Sequence, residues 1–269
     1  MVVIAARSWP AVLVVILLLV QTSATGGAGR VSPCRIHYAS DSRLDWTCQR
    51  LRAGESLERV FGERWVDVAR FNRIDRRHAA PGIEIKVPAR LDDLRDFTPL
   101  PREYADARTE AKFVLIDLSE QFLGAYEAGR LVFSAPVTVG EEGHETPAGD
   151  FRITAAHRRH VSSLYTIEGT STPYPMTWAL HFHTSPAGVT FWLHGRDMPG
   201  SPASHGCIGL YDEWMQHAYY GVPRVPVLDD ARTLYEWVLG AGAGDDGIVT
   251  LRDGPRARIV GRAPRYVRS

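Results

Sequence analysis

A chain of 269 residues, 45% hydrophobic and 23% charged, has the makeup of a globular protein with room for one large domain or two modest ones. Its 31 basic and 31 acidic side chains cancel to a formal net charge of zero, so nothing argues for nucleic acid or an acidic membrane surface as partner. The partner therefore has to be inferred from a site.

The chain opens with Arg7, an apolar run from Ala11 to Val20, and small or polar residues from Gln21 to Gly29, the order of a secretory signal. The run is shorter than the roughly 20 residues that span a bilayer. Residues 1–25 are thus expected to be a signal peptide, with a retained membrane anchor as the alternative, and the protein is expected in the periplasm or cell envelope. In such an oxidising compartment Cys34 and Cys48 can pair across a short loop, leaving Cys207 as the odd thiol; both staying free is the alternative.

From Trp46 to Pro88 the pattern predicts a strand, two short helices and a strand. Ser56 is placed to cap the first helix, which runs through Val60, Phe61 and Trp65, and the second carries Val66, Val68, Ala69 and Phe71. Pro81-Gly82 marks a turn before the strand Ile83 to Pro88. Ala53-Gly54-Glu55-Ser56-Leu57, Asn72 and Val87-Pro88 give residues 46–88 a resemblance to a LysM module, which implies binding to the glycan of the cell wall. A small helical cap on the next domain is the alternative.

Residues 89–110 carry charge and proline without an apolar face and are expected to be a linker. Beyond them come short runs rich in Val, Ile, Phe, Tyr and Trp, among them Phe113 to Leu118, Leu123 to Glu127, Leu131 to Val139, Met176 to Phe182 and Val189 to His194. A closing strand is expected at Arg224 to Leu228, then a helix from Asp229 to Leu239. The predicted catalytic domain spans 111–240, and 241–269 are expected to form a solvated C-terminal extension with a small hairpin around Asp253-Gly254.

The chemistry concentrates in Trp192-Leu193-His194-Gly195 and Ser204-His205-Gly206-Cys207-Ile208. A thiol becomes a good nucleophile when a neighbouring imidazole takes its proton, and Gly206 would let backbone N–H groups approach an oxyanion closely. With Val137-Thr138-Val139-Gly140 and Glu145-Thr146-Pro147-Ala148-Gly149-Asp150-Phe151 upstream, these segments resemble the L,D-transpeptidases, the YkuD-type domain that cross-links bacterial peptidoglycan. The resemblance implies a mainly β fold, a YkuD-like β-sandwich catalytic domain beside the small α/β LysM-like module.

It also implies that Cys207 is the nucleophile and His194 the base, oriented by the carbonyl of Gly195, with Gly206 shaping the oxyanion site and His205 supporting the pocket or replacing His194. Ser204, Arg196, Tyr174 and Trp178 are the expected substrate-side residues. The implied partners are peptidoglycan stem peptides and glycan, with a wall-anchored protein as a further acceptor; no cofactor is expected. The family usually carries Arg or Asn two residues after the cysteine, where this chain has Gly209, and Arg196 is the candidate replacement.

Three other readings remain open. An L,D-carboxypeptidase or amidase-type hydrolase would use the same thioester. A non-catalytic peptidoglycan-binding protein would use only the N-terminal module. A zinc site built on His181 and His183 has genuine ligand spacing, but the motif assigns the neighbouring groups to covalent catalysis, so no metal is expected.

Overall fold

The computed structural model describes residues 31–240 and 247–266, so the expected signal peptide lies outside it. Among the described residues no helix is long and apolar enough to cross a membrane. The N-terminal unit pairs β1 (Trp46–Arg50) antiparallel with β2 (Glu84–Pro88), with α1 (Leu57–Phe61) and α2 (Trp65–Phe71) between them. Ser56 caps α1 by accepting from the Arg59 N–H. Asn72 ties α2 to β2: its amide donates to Val68 O at 2.9 Å and Lys86 O at 2.8 Å, and its carbonyl accepts from the Lys86 N–H at 2.7 Å. A Cys34–Cys48 disulfide fastens the leading segment to β1, and Cys207 is free.

The larger unit is a two-sheet sandwich. Its strands in chain order are β3 (Phe113–Asp117), β4 (Phe122–Glu127), β5 (Arg130–Pro136), β6 (Gly149–Arg152), β7 (Ala155–Thr166), β8 (Pro173–Thr184), β9 (Thr190–Arg196) and β10 (Ile208–Tyr211). Helices α3 (Glu213–Tyr220) and α4 (Asp230–Leu239) follow, then β11 (Val249–Thr250) and β12 (Arg256–Val260). One sheet runs β10-β9-β8-β7-β11 and the other β5-β4-β3-β12-β6. Between them lies a core that includes Val114, Ile116, Leu180, Leu193, Ile208 and Leu210, with Leu234 and Tyr235 of α4 joining it. Fully burying a side chain of this size contributes about 1.5–3 kcal/mol, so the shared core holds the two sheets together.

The expected mainly β sandwich is present, but three expectations about its borders need correction. Residues 89–110 are not a free linker. Leu100 and Ala107 are buried against Phe113, Leu115, Phe122 and Tyr126, and Tyr126 donates to Pro101 O at 2.9 Å, so this segment straps the outer face of the β3 sheet. Because β3 is covered on both faces, its sequence reads as an unbroken apolar run.

The domain also does not end at residue 240. β12 is an inner strand, parallel to β3 and antiparallel to β6, with Ala257 and Ile259 buried, so the described part of 241–269 completes a sheet. β11 pairs with β7 in the other sheet, which rules out the expected hairpin. Residues 224–228 form no strand; Val227 and Leu228 give their N–H groups to Glu213 Oε2 at 2.7 and 3.0 Å.

The two units meet through buried polar groups. Arg73, fully buried, donates to Glu120 O at 3.2 and 3.1 Å and stacks 3.7 Å over the Tyr38 ring, while Glu120 accepts from the Ser40 N–H at 3.0 Å. Asp75 reaches the loop after β9: its carboxylate accepts from the Met198 N–H at 2.6 Å, from Gln216 Nε2 at 3.1 Å and from the His78 N–H at 2.8 Å. Removing such an acceptor leaves several buried donors unpaired. Asp75→Ala is expected to cost about 2–4 kcal/mol in urea unfolding; a loss under about 0.5 kcal/mol would mean the clamp adds nothing.

Candidate active site

Strand alternation builds the first wall of the site. On β9, Trp192, His194 and Arg196 share one face and line a cleft of about 530 Å³, while the intervening Leu193 joins the core. β10 runs parallel to β9 with Ile208 opposite Leu193, which sets Cys207 beside Trp192 at the mouth of the same cleft. Tyr174 and Met176 enter from β8, and His160, Leu164 and Tyr165 from β7 and its tip.

His194 is buried, and its Nδ1 lies 2.8 Å from Gly195 O. A carbonyl can only accept, so Nδ1 carries the proton and Nε2 is left as the acceptor. Gly195 has a steric role too: a Cβ there would sit 2.5 Å from both Asp212 Oδ2 and Thr177 Oγ1. Burial pushes the His194 pKa down to about 3, with the Gly195 bond opposing and the Arg196 charge reinforcing the shift. Burial also raises the Cys207 thiol above its ordinary range, against lowering influences from the Trp192 backbone and Arg196. The resting pair is therefore a thiol and a neutral imidazole, which share the cleft without a direct hydrogen bond.

The turn carrying Cys207 is held from several sides. Ser204 Oγ donates to Cys207 O at 2.5 Å and accepts from the Gly206 N–H at 3.1 Å. Thr146 Oγ1 donates to Gly206 O at 2.9 Å and accepts from the Gly140 N–H at 2.9 Å, which explains chemically why the upstream motif carries a threonine. Gly206 has φ +110°, and a Cβ there would meet Phe191 at 2.6 Å, so the position is confined to glycine on two grounds.

Several expected site residues need reassignment. The Gly206 N–H is occupied by Ser204, so it is not a free oxyanion donor in this state. Ser204 is itself buried and closes the turn while also lining the cleft. Trp178 is not in the cleft: its φ of +55° interrupts the alternation of β8 and turns the ring onto Tyr235 of α4, 5.5 Å between centroids. Tyr174 is in the cleft and donates to Asp197 Oδ1 at 2.5 Å.

Arg196 fills the space that Gly209 leaves, since a Cβ on Gly209 would fall 2.1 Å from Arg196 Cδ. His205 lines the cleft, stacked on Tyr165 at 4.4 Å and edge-on to His144 at 4.5 Å. His181 and His183 do not gather around it: His181 bonds Thr154 and Thr184, and His183 packs on Phe151 and Phe191.

The residues missed from sequence are Trp192 and His160, whose rings stack at 4.3 Å beside Cys207. The two-residue step from His194 back to Trp192 was the signal for the first; nothing local marked the second. Across the 140–146 loop lies another groove of about 760 Å³, lined by Glu141, His144, Arg262, Arg265 and Tyr266 among others. Arg262 and Arg265 are thus part of a walled groove, and Tyr266 is anchored to Pro202 O at 3.0 Å.

A protein-family model described as the YkuD L,D-transpeptidase catalytic domain matches residues 111–259. Solved structures similar to the chain include an L,D-transpeptidase from Stackebrandtia nassauensis, 19% identical over 76% of this chain and 69% of that one with a TM-score of 0.40. Another is an L,D-transpeptidase from Xylanimonas cellulosilytica, 22% identical over 72% and 78% with a TM-score of 0.41. L,D-transpeptidase 1 of Mycobacterium tuberculosis is 18% identical over 56% of this chain and 62% of its own, with a TM-score of 0.36. No curated protein sequence matches the chain.

The depressed His194 pKa has a stability consequence. As pH falls from about 6.5 towards 3, the unfolded chain takes up a proton at His194 that the folded chain refuses, so stability drops by up to about 1.4 kcal/mol per pH unit in that window. His194→Gln should flatten that limb in urea unfolding at stepped pH. An unchanged slope would mean that His194 titrates normally in the folded state.

Proposed function

Because the chain belongs to the YkuD family of L,D-transpeptidase catalytic domains, we propose that it transfers peptidoglycan stem peptides through a thioester on Cys207. The observation that carries this reading is the His194 tautomer: with Nδ1 bound to Gly195 O, Nε2 is the available base in the cleft that Cys207 lines. As Cys207 Sγ attacks the carbonyl carbon of an L-centre to D-centre peptide bond, its proton passes to His194 Nε2. The C–N bond then breaks, the D-amino acid leaves with that proton on its nitrogen, and the acyl group stays on sulfur. An amine of a second stem, or of a wall-anchored protein, attacks the thioester and loses its proton to His194, and the thiol is restored.

A neutral imidazole suits this cycle because the proton moves at the moment of attack, so no buried ion pair has to be kept in the resting site. Arg196 supplies a cation at the wall of the cleft, suited to a stem carboxylate, with Tyr174 and Asp197 fixing its side. A shift of the Ser204 hydroxyl would free the Gly206 N–H for the oxyanion. His205 borders the pocket as a support.

The N-terminal unit has the β-α-α-β order of a LysM module, and its exposed loops at Ala53-Gly54 and Pro81-Gly82 lie side by side, joined by the Gly82 N–H to Leu51 O bond of 2.7 Å. We read these loops as the glycan contact. Export to the periplasm or envelope is supported by the order of residues 1–25 and by the Cys34–Cys48 disulfide.

Incubation with a diaminopimelate-containing disaccharide tetrapeptide, followed by mass spectrometry, is expected to show an adduct on Cys207 and cross-linked dimers, both absent in Cys207→Ala. A Cys207 adduct with only shortened monomers would replace transfer by hydrolysis, and wild-type turnover in Cys207→Ala would refute the mechanism. His194→Ala should slow acylation by about 10²–10⁴-fold. Separately, Ala53→Trp should weaken sedimentation with isolated sacculi while leaving Cys207 alkylation unchanged; undiminished sedimentation would count against the glycan-binding loops.

A further inference from the structure

The wall between the two cavities carries a cluster of which two members, Glu141 and His144, have no part in the transfer reaction. Glu141 and His144 face the groove beside the C-terminal segment, and His205 lines the Cys207 cleft from the other side. One donor atom from each of the three comes within 4.8 Å of the others. Tetrahedral zinc with ligands at about 2.0–2.2 Å holds them about 3.4 Å apart, so binding requires these side chains to draw closer together.

The backbone holding the three donors is already fixed. The Glu141 N–H donates to Ser204 O at 2.9 Å, the His144 N–H to Glu141 O at 3.0 Å, and the N–H groups of Ala203 and Ser204 both reach Val139 O. Gly140 sits too close to His144 O for any side chain, since a Cβ there would be 2.1 Å away, so the loop folds tightly back on itself. The His205 ring is oriented by Tyr165 on one side and His144 on the other. Preorganised ligands lose less freedom on binding than freely moving ones.

We propose that Glu141, His144 and His205 bind a divalent transition-metal ion of the zinc class, joining the 140–146 loop to the turn that carries Cys207. Two imidazoles and one carboxylate favour zinc, cobalt, nickel or copper over magnesium or calcium. Three protein ligands leave a coordination position for water. Because the ion binds the native arrangement of two loops that the unfolded chain does not bring together, occupancy stabilises the fold.

The test uses the full-length mature chain, freed of any affinity tag and stripped of metal, titrated with zinc chloride against a chromogenic chelator. One equivalent is expected to bind, and the melting temperature should rise with zinc concentration. His144→Gln and Glu141→Gln should each lower the affinity at least tenfold; His144 is exposed and Glu141 only half-buried, and neither change alters side-chain size much, so these variants should fold. Cys207→Ser should keep the full stoichiometry, and cobalt loaded in place of zinc should show no thiolate charge-transfer band. Unchanged affinity in His144→Gln, or binding lost in Cys207→Ser, would overturn the assignment, the latter by moving the metal to the thiol. Acylation of Cys207 is read separately from zinc binding, so failure of either leaves the other standing.

Discussion

The site depends on the parallel pairing of β10 with β9. Parallel neighbours cannot be joined by a tight hairpin, and the commonest solution is a helical crossover. Here the return path is the irregular segment 197–207, which has no helix of its own to stiffen it. Its position is imposed from outside: Asp75 takes the Met198 N–H, Thr138 Oγ1 donates to Ser201 O at 2.9 Å, and Val139 O accepts from Ala203 and Ser204. Only because these anchors set the end of the path does Cys207 come down beside Trp192 and within the cleft of His194.

That dependence changes the meaning of the N-terminal unit. It is joined to the sandwich by buried charge on both sides, with Arg73 against Glu120, Arg70 against Asp230 at 2.5 Å, and Arg76 against Glu213. The Tyr211 hydroxyl at the end of β10 donates to both Ala69 O and Ile74 O at 3.0 Å, so the strand behind Cys207 also ends on this unit. Buried ionic contacts are poor glue in free-energy terms but strict about geometry, because a misplaced partner leaves a charge without compensation. The unit thus serves as a brace for the loop that carries Cys207 as well as a separate fold.

Much of this was legible in the chain itself. The unbroken run at Phe113 to Ile116 marks a strand covered on both faces, and the alternation of Trp192, His194 and Arg196 marks one wall of a cleft. Cys207 and His194 stand out because thiol, imidazole and glycine occur together in so few residues. What escaped reading depends on distance along the chain. Leu100 and Ala107 follow neither a helical nor a strand period, so their role as a strap is visible only from the sheet they cover. β12 inserts beside a strand more than a hundred residues earlier, and no local pattern announces a partner so remote. The place of Trp178 is hidden from the sequence because one residue of left-handed backbone reverses the face that simple alternation predicts.

The overlap of Arg196 with the space above Gly209 also constrains descent. A side chain at 209 would collide with Arg196 as it is placed here, so a long side chain on β10 requires the one on β9 to give way. A lineage that moved its cation from one strand to the other had to pass through a crowded intermediate or one with no cation at all. Substitutions at 196 and 209 should therefore be inherited as a pair.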